Sequence, residues 1–272
     1  MVALSKRAAE PGPDFVIEQG WEAYRPEHHA IWRTLYERQA KLLPGRACED
    51  YLAGFRDLGI AAEGIPDFRR LSEVLGRATG WQVVAVPGLV PDDVFFEHLA
   101  NRRFPATNWI RSPEQLDYLQ EPDIFHDVLG HVPMLMNPVF GDYMEAYGKG
   151  GLKALRLGSL DKLARLYWYT VEFGLIGTPE GLRIYGSGIV SSHKESIYCL
   201  ESEVPKRVAF ELMRVMRTNY RIDDLQEIYF VIESFDQLFD ATRPDFTPYY
   251  EALRRLSDIA PGELVAGDSE VS

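Results

Sequence analysis

Apolar residues recur at three- and four-residue intervals over most of the chain, and that period predicts helices. Residues 26–43 (PEHHAIWRTLYERQAKLL) form an amphipathic helix opened by Pro26, with Ile31, Leu35 and Leu42 on its apolar side and His28 and His29 solvated at its start. Residues 48–58 and 66–77 repeat the pattern, the second with Phe68, Leu71 and Leu75 turned inward. Further helices are predicted over 92–101, 122–130, 141–149, 160–173, 192–201 and 204–217. Strand patterns are few: WQVVAV at 81–86, ended by Pro87 and Gly88, then 182–185 and 228–232, with 104–110 short and extended. The sum is a mainly α fold with small peripheral β pieces rather than an alternating βαβ chain. No linker or internal repeat interrupts residues 14–261, which read as one domain. Residues 1–13 and 262–272 are small, polar and punctuated by Pro or Gly, and both are expected to be disordered.

Composition narrows the possible partners. With 46% hydrophobic and 12% aromatic residues, 272 residues can bury a large core. The net charge of -12 is spread along the chain without a basic run, which argues against nucleic acid and anionic membrane as partners. No apolar stretch approaches the ~20 residues needed to cross a bilayer, and the N-terminal residues are too polar for a signal sequence, so a cytoplasmic location is expected. Cys48 and Cys199 are far apart and lack a CxxC pattern, and both are expected to be free, buried thiols.

The chemistry gathers around residues 121–133, EPDIFHDVLGHVP, where His126 and His131 stand five apart among apolar neighbours. Neutral imidazole is the commonest protein metal ligand. On a regular α-helix, however, five residues turn about 500°, which would aim the two rings roughly 140° apart. Gly130 and Pro133 suggest that the helix opens or ends there and re-aims the second ring. The pair alone is read more readily as two unrelated histidines, one on a buried face and one in a turn. A third donor appears 41 residues after His131. Glu172 is the sole residue charged at pH 7 between Leu166 and Ile176, so its carboxylate enters an apolar environment with no Lys or Arg in the same stretch. A distant arginine, Arg111 or Arg183, is one answer to that charge and a metal is the other. Two imidazoles and one carboxylate form the facial triad of non-haem Fe(II), and zinc hydrolases use the same ligand types.

Taken together, EPDIFHDVLGHVP, LYWYTVEFGLI and IYGSGIVSSHKESIYCL closely resemble the pterin-dependent aromatic amino acid hydroxylases, in particular their bacterial phenylalanine-hydroxylating branch. The resemblance runs from about Trp21 to Leu256. It implies a single, mostly helical catalytic domain and places Fe(II) on His126, His131 and Glu172. It implies that Arg111, fifteen residues before His126, binds the amino acid carboxylate. A bidentate guanidinium fork suits that task better than a lysine. The pterin, tetrahydrobiopterin or a relative, would stack on Phe95, with Gly88, Leu89 and Val90 along the ring. Asp127 would reach the pterin through water. Pro122 and Trp168 would shape the substrate pocket. Ser191 would hydrogen-bond an iron ligand, and Gly188 lies in a tight GSG turn near the substrate's polar end. The implied reaction uses O2 and the tetrahydropterin to convert L-phenylalanine to L-tyrosine.

Ile222, in NYRIDD, is similar to the apolar residue of the phenylalanine-specific members, so tryptophan and tyrosine are the alternative substrates. The chain has no room before Trp21 for a regulatory domain of ~100 residues, and its C-terminal end lacks heptads, so an unregulated monomer is expected. Two other classes use the same residues. A zinc hydrolase would need a nearby general base. A structural metal would require a fourth protein ligand.

Overall fold

Eleven α-helical segments surround two small sheets in the computed structural model, which describes residues 12–117, 119 and 121–271. The expectation for residues 1–13 therefore falls almost entirely outside the described residues. The amphipathic patterns are realised closely: Pro26–Leu42, Glu49–Asp57, Phe68–Ala78 and Asp92–Ala100 are helices, and Trp32, Leu35, Phe68, Leu71 and Leu75 are buried. His28 departs from expectation. It is buried, and its Nδ1 accepts a hydrogen bond from the Arg25 backbone N–H.

The first sheet holds two parallel strands, β1 (Gln82–Val86) and β2 (Arg103–Thr107), joined through the helix Asp92–Ala100. This crossover delivers Thr107 to the wall of the site described below. The second sheet has four strands, β3 (Leu175–Thr178), β4 (Gly181–Ile184), β5 (Lys206–Ala209) and β6 (Ile228–Ile232), in the spatial order β4-β3-β6-β5. Only β3 and β4 pair antiparallel. Every residue of β6 is buried, as its unbroken apolar run IYFVI suits a strand covered on both faces.

Two expectations about the C-terminal third fail, and they fail together. Residues 204–217 are not one helix: β5 occupies Lys206–Ala209 and a shorter helix spans Leu212–Arg217, with the Glu211 side chain capping its first N–H groups. Pairing of β5 with β6 overrides the local helical period. The segment 262–271 is ordered too. It covers the open edge of β5, with Ala209 N–H donating to Ser269 O and Val271 N–H to Arg207 O, each at 2.8 Å. Unpaired strand edges need cover, and this one receives it from the tail. Asp268 completes the lock by pairing with Arg214 at 2.8 Å, both side chains 6% exposed.

Candidate active site

The five-residue spacing of the histidines is resolved by an unusual helix. Residues His126–His131 wind as a π-helix, whose hydrogen bonds run from i to i+5 and so bring residues five apart onto one face. Of the two outcomes the sequence suggested at Gly130, the helix opens into the wider π-winding rather than ending. The role of Gly130 is close approach: a Cβ there would lie 2.9 Å from the Ser187 carbonyl oxygen. The third donor stands on a second π-segment, Trp168–Glu172, which continues the α-helix Leu160–Tyr167. Such segments are rare and concentrate at functional sites.

These two segments aim three donors at one point. The Nε2 atoms of His126 and His131 are 3.2 Å apart. Glu172 Oε1 lies 3.3 Å from His131 Nε2 and Glu172 Oε2 lies 3.7 Å from His126 Nε2. The ring of His131 is set between Phe104 and Tyr167, with centroids 4.9 and 6.3 Å away. His126 is held by a polar partner: its Nδ1–H donates to Ser191 Oγ at 2.9 Å, while the Ser191 hydroxyl donates to Ser187 O at 2.8 Å. That pairing follows from the hydrogen-bond pattern and leaves the Nε2 lone pair free for a ligand.

The protonation states suit a cation. Burial pushes the His126 imidazole down to about 4, against the opposing pull of Glu172, so the ring is neutral at pH 7. For Glu172 burial acts upward, but the two imidazoles and the Ser187 hydroxyl outweigh it and hold the carboxyl at about 2. An ionised carboxylate therefore faces the His126 and His131 rings, with no lysine or arginine in the cluster. Among the described residues these are the sole His, Cys, Asp and Glu side chains grouped tightly enough to hold a metal ion, with donor atoms within 4.8 Å of one another. Three protein donors on one side leave open positions for exogenous ligands, as a catalytic rather than a structural site requires.

Around the triad the remaining candidates take distinct positions. Arg111 is buried rather than a surface arginine, and its Nε and Nη2 hold Asp123 at 2.9 and 2.8 Å. Asp123 Oδ1 also accepts the His126 N–H at 3.1 Å, which ties the arginine to the first ligand. Trp168 stacks on Tyr220 with centroids 4.4 Å apart, and its indole N–H donates to Gln226 Oε1 at 2.8 Å. Asp127 Oδ2 accepts from both the N–H and the hydroxyl of Thr107 at 2.8 Å, yet burial pushes its carboxyl up to about 6. Phe95 is half-buried and meets Tyr167 edge-on at 5.9 Å, one ring away from His131. Leu89 is exposed on the loop after β1, with Gly88 and Val90 partly covered. Pro122 is half-buried just before Asp123. Gly188 lies close beside the triad, where a Cβ would come within 3.1 Å of Glu172 Oε2.

Sequence reasoning did not single out Ser187, Asp123 or Gln226. Asp123 carries a legible signal, an acid inside the apolar run PDIF. Gln226 carries none, since it meets Trp168 only through the fold.

This fold and this site define a class. The sequence profile described as biopterin-dependent aromatic amino acid hydroxylase matches residues 21–257. The chain belongs to that family. It is 67% identical over 257 residues to a phenylalanine-4-hydroxylase of Ralstonia nicotianae, covering 94% of this chain and 82% of the relative. A phenylalanine-4-hydroxylase of Chromobacterium violaceum is 62% identical over 264 residues, covering 94% and 89%. Among solved structures, the iron- and phenylalanine-bound phenylalanine hydroxylase from C. violaceum superposes with a TM-score of 0.93 at 59% identity, covering 97% of this chain and 96% of that one. The cobalt-bound form of the same enzyme gives 0.95 at 60% identity, covering 97% and 95%.

Proposed function

We propose that this chain is a phenylalanine 4-monooxygenase: with Fe(II), a tetrahydropterin and O2 it converts L-phenylalanine to L-tyrosine. One observation carries the reading. Two imidazoles and a carboxylate converge within 4.8 Å, in a chain whose relatives at 62–67% identity are phenylalanine-4-hydroxylases. The iron, held by His126, His131 and Glu172, supplies oxygen activation with electrons drawn from the pterin.

Everything else falls to the protein. Arg111, its guanidinium oriented by Asp123, meets the substrate carboxylate through the N–H groups that Asp123 leaves free. Trp168 and Pro122 pack the substrate ring, and Gly188 leaves room for its polar end beside Glu172. Holding the reacting carbon near the triad converts a bimolecular encounter into a near-unimolecular step. Phe95 offers an aromatic face to the pterin, with the backbone of Gly88, Leu89 and Val90 along its edge and Asp127 reaching it through water. Ser191 holds His126 in the ligating tautomer. The apolar walls, Phe104, Tyr167 and Phe173 among them, exclude water from the reacting centre.

The finer assignments belong to the same reading. The protein acts as a monomer in the cytoplasm, with neither nucleic acid nor membrane as a partner. The negative net charge supports this, as does the lack of any helix, among the described residues, long and apolar enough to cross a membrane. Purified protein supplied with Fe(II), tetrahydrobiopterin, oxygen and each aromatic amino acid in turn should form tyrosine from phenylalanine faster than it hydroxylates tryptophan or tyrosine. Pterin-dependent hydroxylation of none of the three would overturn the proposal.

A further inference from the structure

Ser187 is neither one of the three metal-facing donors nor one of the proposed substrate contacts, yet it touches both arms of the triad. Its hydroxyl lies 2.9 Å from Glu172 Oε2 and 3.0 Å from the carbonyl oxygen of Val171. Its own carbonyl accepts the Ser191 hydroxyl, which in turn accepts the Nδ1–H of His126. The residue is 2% exposed and opens the short helix Ser187–Val190, whose first turn packs against Gly130 in the histidine-bearing π-segment. A side chain so placed is locked by its surroundings.

We propose that Ser187 is a positioning residue for the metal centre: its hydroxyl holds one oxygen of Glu172 so that the other is presented to the ion, while its carbonyl, through Ser191, sets the ring of His126. A serine hydroxyl has a single proton, and two acceptors compete for it. The carboxylate is the stronger, because hydrogen bonds to ionised acceptors are roughly twice as strong as neutral ones. Donation to Oε2 draws charge from that oxygen and leaves Oε1, on the His131 side, as the better donor to a cation. The neighbouring Gly188 makes the arrangement possible, since a side chain there would crowd Oε2. The two arms of the triad are thus coupled through one residue, and neither ligand can reorient without disturbing the other.

The inference rests on the metal-binding reading of His126, His131 and Glu172, and the test separates the two. Metal-free wild type and Ser187→Ala are titrated with Co(II) under anaerobic conditions, with visible absorption reporting coordination and the titration giving the dissociation constant. The alanine variant should bind about 10- to 100-fold more weakly, the range for lost outer-shell partners. Its Co(II) bands should also shift, while its metal-free melting temperature stays within a few degrees of wild type. Ser187→Gly should weaken binding at least as much. Equal affinity and identical bands in wild type and Ser187→Ala would overturn the role of Ser187. So would metal-free Ser187→Ala that fails to fold or melts far below wild type, because the residue would then serve packing. A wild-type chain that binds no Co(II) would instead sink the underlying metal reading.

Discussion

The floor and the rim of the site are built differently. The floor consists of two π-segments whose donors are fixed by hydrogen bonds: His126 by Ser191, Glu172 by Ser187, and Asp123 tying Arg111 to the His126 backbone. The rim consists of half-buried or exposed residues on separate elements, with Phe95 and Leu89 beside β1 and Ile222, 73% exposed, on the loop that carries Tyr220 and Gln226. The contrast matches two tasks. A metal needs donors pre-set within a few tenths of an ångström, whereas amino acid and pterin must enter and leave.

That contrast can be broken by substitution. The largest effects belong to the floor: Glu172→Gln, His126→Ala and His131→Ala should each remove measurable tyrosine formation in a steady-state assay. Turnover near wild type in any of them would place the chemistry elsewhere. Next comes Arg111→Lys, because an ammonium cannot span both Asp123 oxygens and still meet a substrate carboxylate. KM for phenylalanine should rise about 10- to 100-fold, with kcat changed less. An unchanged KM would remove Arg111 from the substrate site.

Changes at the rim, or at the buried Gln226 beneath it, should be smaller. Gln226→Leu frees the Trp168 indole N–H and should cost about 1 kcal/mol in kcat/KM for phenylalanine, roughly a fivefold loss, with iron content unchanged. Phe95→Leu should raise KM for the pterin by a similar factor, about 0.5–1.5 kcal/mol, and leave KM for phenylalanine alone. If iron content fell in either variant, floor and rim would not be separable.

Smallest of all for catalysis is Asp268, remote from both regions. Burial acts to raise its pKa, but Arg214 and the Val265 N–H outweigh that, and the carboxyl is held below its usual range. A depressed carboxyl contributes stability that is present above the unfolded value of about 3.9 and lost as pH falls through the folded value. Acidification below about pH 4 should therefore free residues 262–271, visible as faster hydrogen exchange. Asp268→Ala should do the same at neutral pH, at a cost of about 2 kcal/mol, with kcat unchanged.

What could be read from the chain follows the range of the forces involved. Glu172 was legible because a charge in an apolar helix needs a partner wherever the helix goes. The helices of the first hundred residues were legible because their apolar period survives burial. The π-winding at His126–His131 was not. The five-residue spacing signalled that a regular helix would fail, and Gly130 suggested a break, but the actual solution depends on Ser187–Val190 packing against the segment. The 206–209 strand and the ordered tail escaped for a related reason. Their hydrogen bonds connect residues tens of positions apart, and KRVAF satisfies a helical pattern equally well. Gln226 likewise supports Trp168 from 58 residues away.

The central claim is that one Fe(II) sits on three protein donors in an open shell. An anomalous difference map at the iron edge, from crystals of Fe(II)-loaded protein, tests it most directly. The account predicts one strong peak bounded by His126 Nε2, His131 Nε2 and the Glu172 carboxylate, with no fourth protein ligand. A peak elsewhere, or a fourth side chain closing the shell, would contradict it.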